Sequence, residues 1–399
     1  MTEILIKLVG LIILIELFTI FIVKKIRNKF QWFIFNKDVF PNFNESRFNN
    51  YIKNSYDKDL GWKRKSNITG YDHIGKKKIK FSIDKKGSRM QTNKKKVQKY
   101  ASFGGSYVFG RQVEDNHTWQ EFISNECNFN ILNFGIGNYG TDQAILRYKN
   151  TKLSKKTKNI ILGIVPEHIC RIQSEWKHFF EFGNIHGFKP KCFLKNGKLF
   201  FKKNPLVYGT KLKNIKNVIK KLKQTDRFFE EKFKKNIFQY PFILSFIRNF
   251  KFNFKVVLVY LKYFGDSKQK DHFLKLVIQR NIIEAHNLYL EEYSKKLFLE
   301  LIKYFKYVAK KRGQKVTLII FPQYLDILNY NTSRPYRNYF KNIISKEIKT
   351  LDLTKYFKKI DVKKLHKLFI NDIYGGHLNK EGNKFVSKII LDFLKNDKK

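Results

Sequence analysis

The chain has 399 residues, enough for one large domain with insertions, and its 43% hydrophobic and 16% aromatic residues exclude an intrinsically disordered chain. A formal net charge of +48 favours anionic partners such as acidic lipid, acidic glycan or nucleic acid. The charge is spread along the whole chain, without zinc-finger spacing or a glycine-lysine phosphate loop, so nucleic-acid binding has no motif behind it. Cys127, Cys170 and Cys192 are odd in number and lack metal-ligand spacing. They read as free thiols, and no metal or organic cofactor is implied.

In chain order, Ile4–Val23 is apolar apart from Lys7, Gly10, Glu16 and Thr19, and is long enough to cross a bilayer as a helix. No small-residue cleavage site follows, so an uncleaved single-pass anchor is expected over 1–30, with Lys24, Lys25, Arg27 and Lys29 as its basic flank. In a chain this basic throughout, that flank leaves the side of the following domain open. Residues 31–95 read as a connector followed by a small β-rich module, with turns at Gly61, Gly75 and Gly87.

From residue 96 to 399 the pattern alternates β and α, which predicts a parallel sheet covered by helices on both faces. Strands are expected over Val97–Phe103, Phe129–Phe134, Asn159–Val165, Val316–Phe321 and Thr350–Leu353. Thr118 and Glu121 have capping-box spacing for a helix to about Glu126, Thr141 is placed to cap the next, and Leu378–Leu394 reads as a last amphipathic helix. Between the third and fourth strands, Asn196-Gly197 marks a hairpin and residues 208–310 read as a helical insertion. Its segments Tyr240–Phe250 and Phe254–Phe264 are the most apolar, and suit either a membrane-facing lid with snorkelling lysines or a helical layer on the sheet.

The chemistry-bearing residues fall where strands end. Gly104 and Gly105 let the chain turn sharply after the first strand, so that the Ser106 hydroxyl stands at the carboxyl edge of the sheet. Asn138 follows the second strand, Glu167 and His168 the third, and His377 precedes the last helix on a glycine-flanked loop. Serine chemistry needs such a hydroxyl, a base within hydrogen-bond reach, and donors where an oxyanion forms.

Four blocks in this order resemble the SGNH (GDSL-type) hydrolases, esterases and acyltransferases with a three-layer α/β/α fold. Phe103-Gly-Gly-Ser-Tyr-Val-Phe-Gly110 is similar to the first block and Asn133-Phe-Gly-Ile-Gly-Asn-Tyr-Gly-Thr-Asp-Gln143 to the second. Ile161-Leu-Gly-Ile-Val-Pro-Glu-His168 occupies the third, and Asp372 with His377-Leu-Asn-Lys-Glu-Gly382 the last. The resemblance implies Ser106 as nucleophile, His377 as base, Asp372 as its orienting acid, and the Ser106 and Asn138 amides as oxyanion donors. Its departures are Gly105 for the aspartate before the nucleophile, Asn138 for a glycine, Glu167 for an oxyanion asparagine, and Tyr374 where the triad acid usually stands. Either Asp372 reaches His377 across the two glycines or the site is a Ser-His dyad. The function implied is a membrane-anchored serine esterase on O-acyl, above all O-acetyl, esters of a carbohydrate or envelope glycan. A sugar O-acyltransferase, or an inactive scaffold binding anionic glycan or lipid, are its alternatives.

Overall fold

The computed structural model describes residues 2–26, 33–93, 96–267, 269–370 and 376–396. Five parallel strands form the central sheet: β1 (Val97–Gly104), β2 (Phe129–Asn133), β3 (Asn159–Ile164), β4 (Lys315–Ile320) and β5 (Lys349–Asp352). Their order across the sheet is β5-β4-β3-β1-β2. The chain therefore reverses its winding between β1 and β3, which pair from Tyr100↔Asn159 to Gly104↔Gly163. The crevice at the carboxyl ends of those two strands is where an open α/β sheet takes its ligand.

Side chains alternate between the two faces, as the strand period of two requires. Phe103, Leu162 and Leu318 face a core built with α3 (Thr141–Asn150) and α7 (Glu292–Lys311). Ile131, Ile161 and Ile319 face the other, with α2 (Trp119–Glu126) and α8 (Lys380–Lys395). The result is the expected three-layer α/β/α arrangement.

Thr118 caps α2 as expected, its hydroxyl accepting from the Glu121 amide. The cap of α3 differs from expectation. Gly140 occupies that position, its amide donating to Gln143 Oε1 at 3.0 Å. Thr141 lies within the helix, where its hydroxyl meets His168 Nδ1 at 3.3 Å instead. The Asn196-Gly197 turn closes the hairpin Lys191–Lys195/Lys198–Lys202, both residues at positive φ.

Before the sheet, α1 (Thr2–Ile26) holds a 20-residue stretch, Thr2–Phe21, long and apolar enough to span a membrane. From Ile34 to Ile52 the chain packs on the main core. Asn44 caps a helix Glu45–Asn54, and Phe43 and Phe48 bury themselves in the main core beside Phe188. The β-rich module appears as two small antiparallel pairs, Tyr56–Asp57 with Gly61–Trp62, and Ile68–Ile74 with Lys77–Ile83.

The long interval before β4 divides. Helix Ile215–Thr225 and α7 are packed into the main core, the ordinary helical-layer outcome. Helices α4 (Phe242–Arg248) and α5 (Phe250–Lys262) lie outside that core; α5 packs on α6 (Gln269–Asn287) through a small cluster around Val256 and Phe273, and α6 joins the main core at Ala285.

Candidate active site

β1 ends at Gly104, and the chain turns at Gly105 into the one-turn helix Ser106–Phe109. Gly104 allows this turn to lie close on the sheet, since a Cβ there would sit 2.2 Å from the Gly163 carbonyl oxygen. Ser106 is the first residue of that turn, so its amide has no partner within the helix.

His377 reaches this point from the loop before α8. Its Nε2 lies 2.9 Å from Ser106 Oγ. The loop is pinned by Tyr107, whose hydroxyl donates to the Gly376 carbonyl at 2.8 Å and whose ring packs 5.2 Å from the imidazole. Asp372 and Tyr374 lie outside the described residues, as do Arg27 and Lys29 of the basic flank.

The other imidazole nitrogen, Nδ1, is 3.1 Å from Gln112 Oε1. Gln112 is buried and sits at φ 67°, a left-handed conformation held from two sides. Its amide donates to Asp72 Oδ2 at 3.1 Å, and its side-chain Nε2 donates to the His73 carbonyl at 3.0 Å. That carbonyl can only accept, so the NH₂ of Gln112 must face it and the oxygen must face His377. Nδ1 then carries the proton, and Nε2 keeps a lone pair for the Ser106 hydroxyl. The direction of the Ser106–His377 hydrogen bond is therefore set by a β-hairpin about forty residues earlier in the chain.

Burial, with Arg111 and Arg171 nearby, pushes His377 down to about 3. The imidazole is neutral across the physiological range. Asn138 stands opposite at φ 67°, the left-handed backbone that asparagine tolerates in place of glycine. Its loop is held by Trp62, whose indole donates to the Gly137 carbonyl at 3.1 Å, and by Lys177 Nζ, 3.4 Å from the Asn138 carbonyl.

The two third-block residues separate. Glu167 lines the cavity, but its carboxylate is engaged by Arg171 and by Gln323 Nε2 at 3.1 Å. Arg171 also pairs with Glu181 at 2.9 Å, and its field holds that second carboxyl below the usual range despite burial. His168 lies behind the nucleophile turn and not in the cavity. A Cβ at residue 105 would come 2.9 Å from its Nε2, which accounts for glycine there. Burial holds His168 near 3, also neutral.

Ser106, Asn138, Glu167 and His377 thus line one cavity of about 400 Å³, joined by Arg111, Arg171 and Gln323. Its far wall is apolar, from Phe182 and from Leu274, Val277 and Ile278 of α6. Gln112, Arg111, Arg171 and Gln323 were not legible as site residues. Only Gly110-Arg-Gln, directly after the nucleophile turn, offered a local cue for the first two.

No protein-family model matches the chain, and no curated protein matches it. Among solved structures it is similar to a two-domain esterase active on acetylated mannans, co-crystallised with mannopentaose. The identity is 10% and the TM-score 0.30, over 75% of this chain and 50% of that one, so this chain spans about half that protein's length.

Proposed function

We propose that the chain is a membrane-anchored serine esterase acting on O-acyl, chiefly O-acetyl, esters of a carbohydrate. The observation that carries this reading is the 2.9 Å contact between Ser106 Oγ and a His377 Nε2 whose proton is fixed on the opposite nitrogen. Ser106 Oγ attacks the acyl carbonyl carbon while Nε2 takes the hydroxyl proton. The oxyanion is met by the amides of Ser106 and Asn138. As the intermediate collapses, the sugar oxygen leaves with the proton from Nε2, and the acyl group stays on Ser106. Water, activated by the same nitrogen, then releases the acid; a sugar hydroxyl in its place would make the reaction a transfer.

Gln112 takes the orienting part that the resemblance assigns to Asp372. It fixes the tautomer without adding negative charge, and the depressed His377 keeps the base unprotonated at neutral pH. Arg171 draws the Glu167 carboxylate into an ion pair, relieving the repulsion it would otherwise exert on an oxyanion. The helix α1 supplies the anchor.

A fluorophosphonate probe tests for the activated serine without knowledge of the substrate. It should label the wild-type chain and fail to label Ser106→Ala. A wild type that ignores the probe while folded would sink the enzymatic reading.

A further inference from the structure

Among the described residues, α4 and α5 leave an apolar stripe largely exposed. Leu244 and Ile247 are three residues apart on α4, and Phe250, Phe254, Leu258 and Leu261 recur at intervals of three and four on α5, so each helix carries an apolar side of its own. Each is between 45% and 64% exposed. The opposite side is the packed one, where Val256 lies against Phe273 and Leu276 of α6. Lys251, Lys255 and Lys262 are exposed along the same stretch and have the reach to bring ammonium groups to a headgroup layer.

One contact says what covers this stripe. Glu16 stands in the apolar part of α1, where a lone carboxylate in hydrocarbon is costly. It is only 8% exposed, because its oxygens accept from the amides of Phe242 at 2.5 Å and Ile243 at 3.0 Å. These are the first two amides of α4, which have no partner within their own helix. Each side thus satisfies a polar group of the other that lipid could not. Glu16 precedes the end of the apolar span at Phe21 by five residues, about 8 Å along a helix. When α1 crosses a bilayer, the start of α4 therefore lies below the surface of the leaflet nearer the catalytic domain.

We propose that α4 and α5 are embedded in that leaflet, with the stripe in contact with acyl chains and the lysines at anionic headgroups. This rests on the reading of α1 as the anchor. Its consequence for the site is direct. Helix α6 packs on α5 with one side and lines the catalytic cavity with Leu274, Val277 and Ile278. Its other end reaches the sheet edge, where His286 Nε2 lies 2.8 Å from Asp326 Oδ1, in the short helix Tyr324–Leu328 that Gln323 caps. The cavity is then seated at the bilayer surface, with a wall that belongs to a membrane-held element.

The test uses the full chain in vesicles of phosphatidylcholine and phosphatidylglycerol, with single nitroxide labels at Leu258→Cys, Leu244→Cys, Leu11→Cys and Val362→Cys. The native thiols are half-buried at Cys127 and buried at Cys170 and Cys192, so Cys127→Ser serves as background. Labels at 258, 244 and 11 should be relaxed several-fold more by oxygen, which concentrates in lipid, than by an aqueous nickel chelate. The label at 362 should show the reverse. If 11 reads as lipid while 258 and 244 read as water, the anchor stands and the embedded platform is overturned. Labels at 258 and 244 shielded from both reagents would mean that protein, such as a second copy, covers the stripe, which also overturns it. A water-exposed label at 11 would remove the anchor and this proposal together.

Discussion

Two nitrogens of one ring decide the chemistry open to His377. Nε2 faces the Ser106 hydroxyl and Nδ1 faces Gln112, whose own orientation is forced by the His73 carbonyl. Gln112→Ala removes the acceptor, frees the tautomer and the ring, and should lower esterase activity on a short acyl ester by about 10²-fold, the low end of what a positioned base contributes. Gln112→Glu is the more telling variant. A carboxylate beside Nδ1 favours the imidazolium, so His377 should rise from about 3 and the acid limb of kcat/KM should move to higher pH. The wild type should stay flat from neutrality down to about pH 4. A pH profile unchanged in Gln112→Glu, together with a larger loss in Asp372→Asn, would hand the orienting role back to Asp372.

The elements that hold the site are not the ones that carry it. The small module before the sheet reaches in twice, through Trp62 to the Gly137 carbonyl and through Asp72 and His73 to Gln112. Behind the second block, Asp142 in the first turn of α3 pairs with Lys189 at 2.6 Å, both fully buried. The lysine also donates to the carbonyls of Arg171, Ser174 and Pro190, and so ties α3 to the segment after β3. Burial raises the Asp142 carboxyl and the lysine opposes that rise. Lys189→Met should strand this carboxyl and the three carbonyls, at a cost of about 3–5 kcal/mol in chemical denaturation. Lys189→Met with Asp142→Leu should regain part of it, because no unpaired charge is then buried. Equal stability of the single variant and the wild type would show the pair to be dispensable.

Across the whole molecule, three buried imidazoles set an acid limit on stability. Burial holds His377 and His168 at about 3 and His178 at about 4, against an ordinary 6.5. Between those values the unfolded chain binds protons that the folded chain refuses. Stability is therefore complete above pH 6.5 and falls below it, by up to about 1.4 kcal/mol per pH unit for each group. Melting temperature should drop steeply between pH 6.5 and 5, before the carboxylates of Glu175, Glu181 and Glu284, held low by their cationic neighbours, begin to protonate. A melting temperature constant over that window would contradict the burial of these rings. The sequence by itself determined the layers, the strand ends that hold Ser106, Asn138 and Glu167, and a helix of membrane length, because hydrophobic period, glycine turns and span length are local properties. Tertiary structure alone decided that Gln112 faces His377, and that His168 backs Gly105 and stays out of the cavity. It also brought Glu16 to the start of α4. Each of these joins residues far apart in the chain or turned to an unforeseen face, and no local pattern records which side chain will fill the space another element leaves.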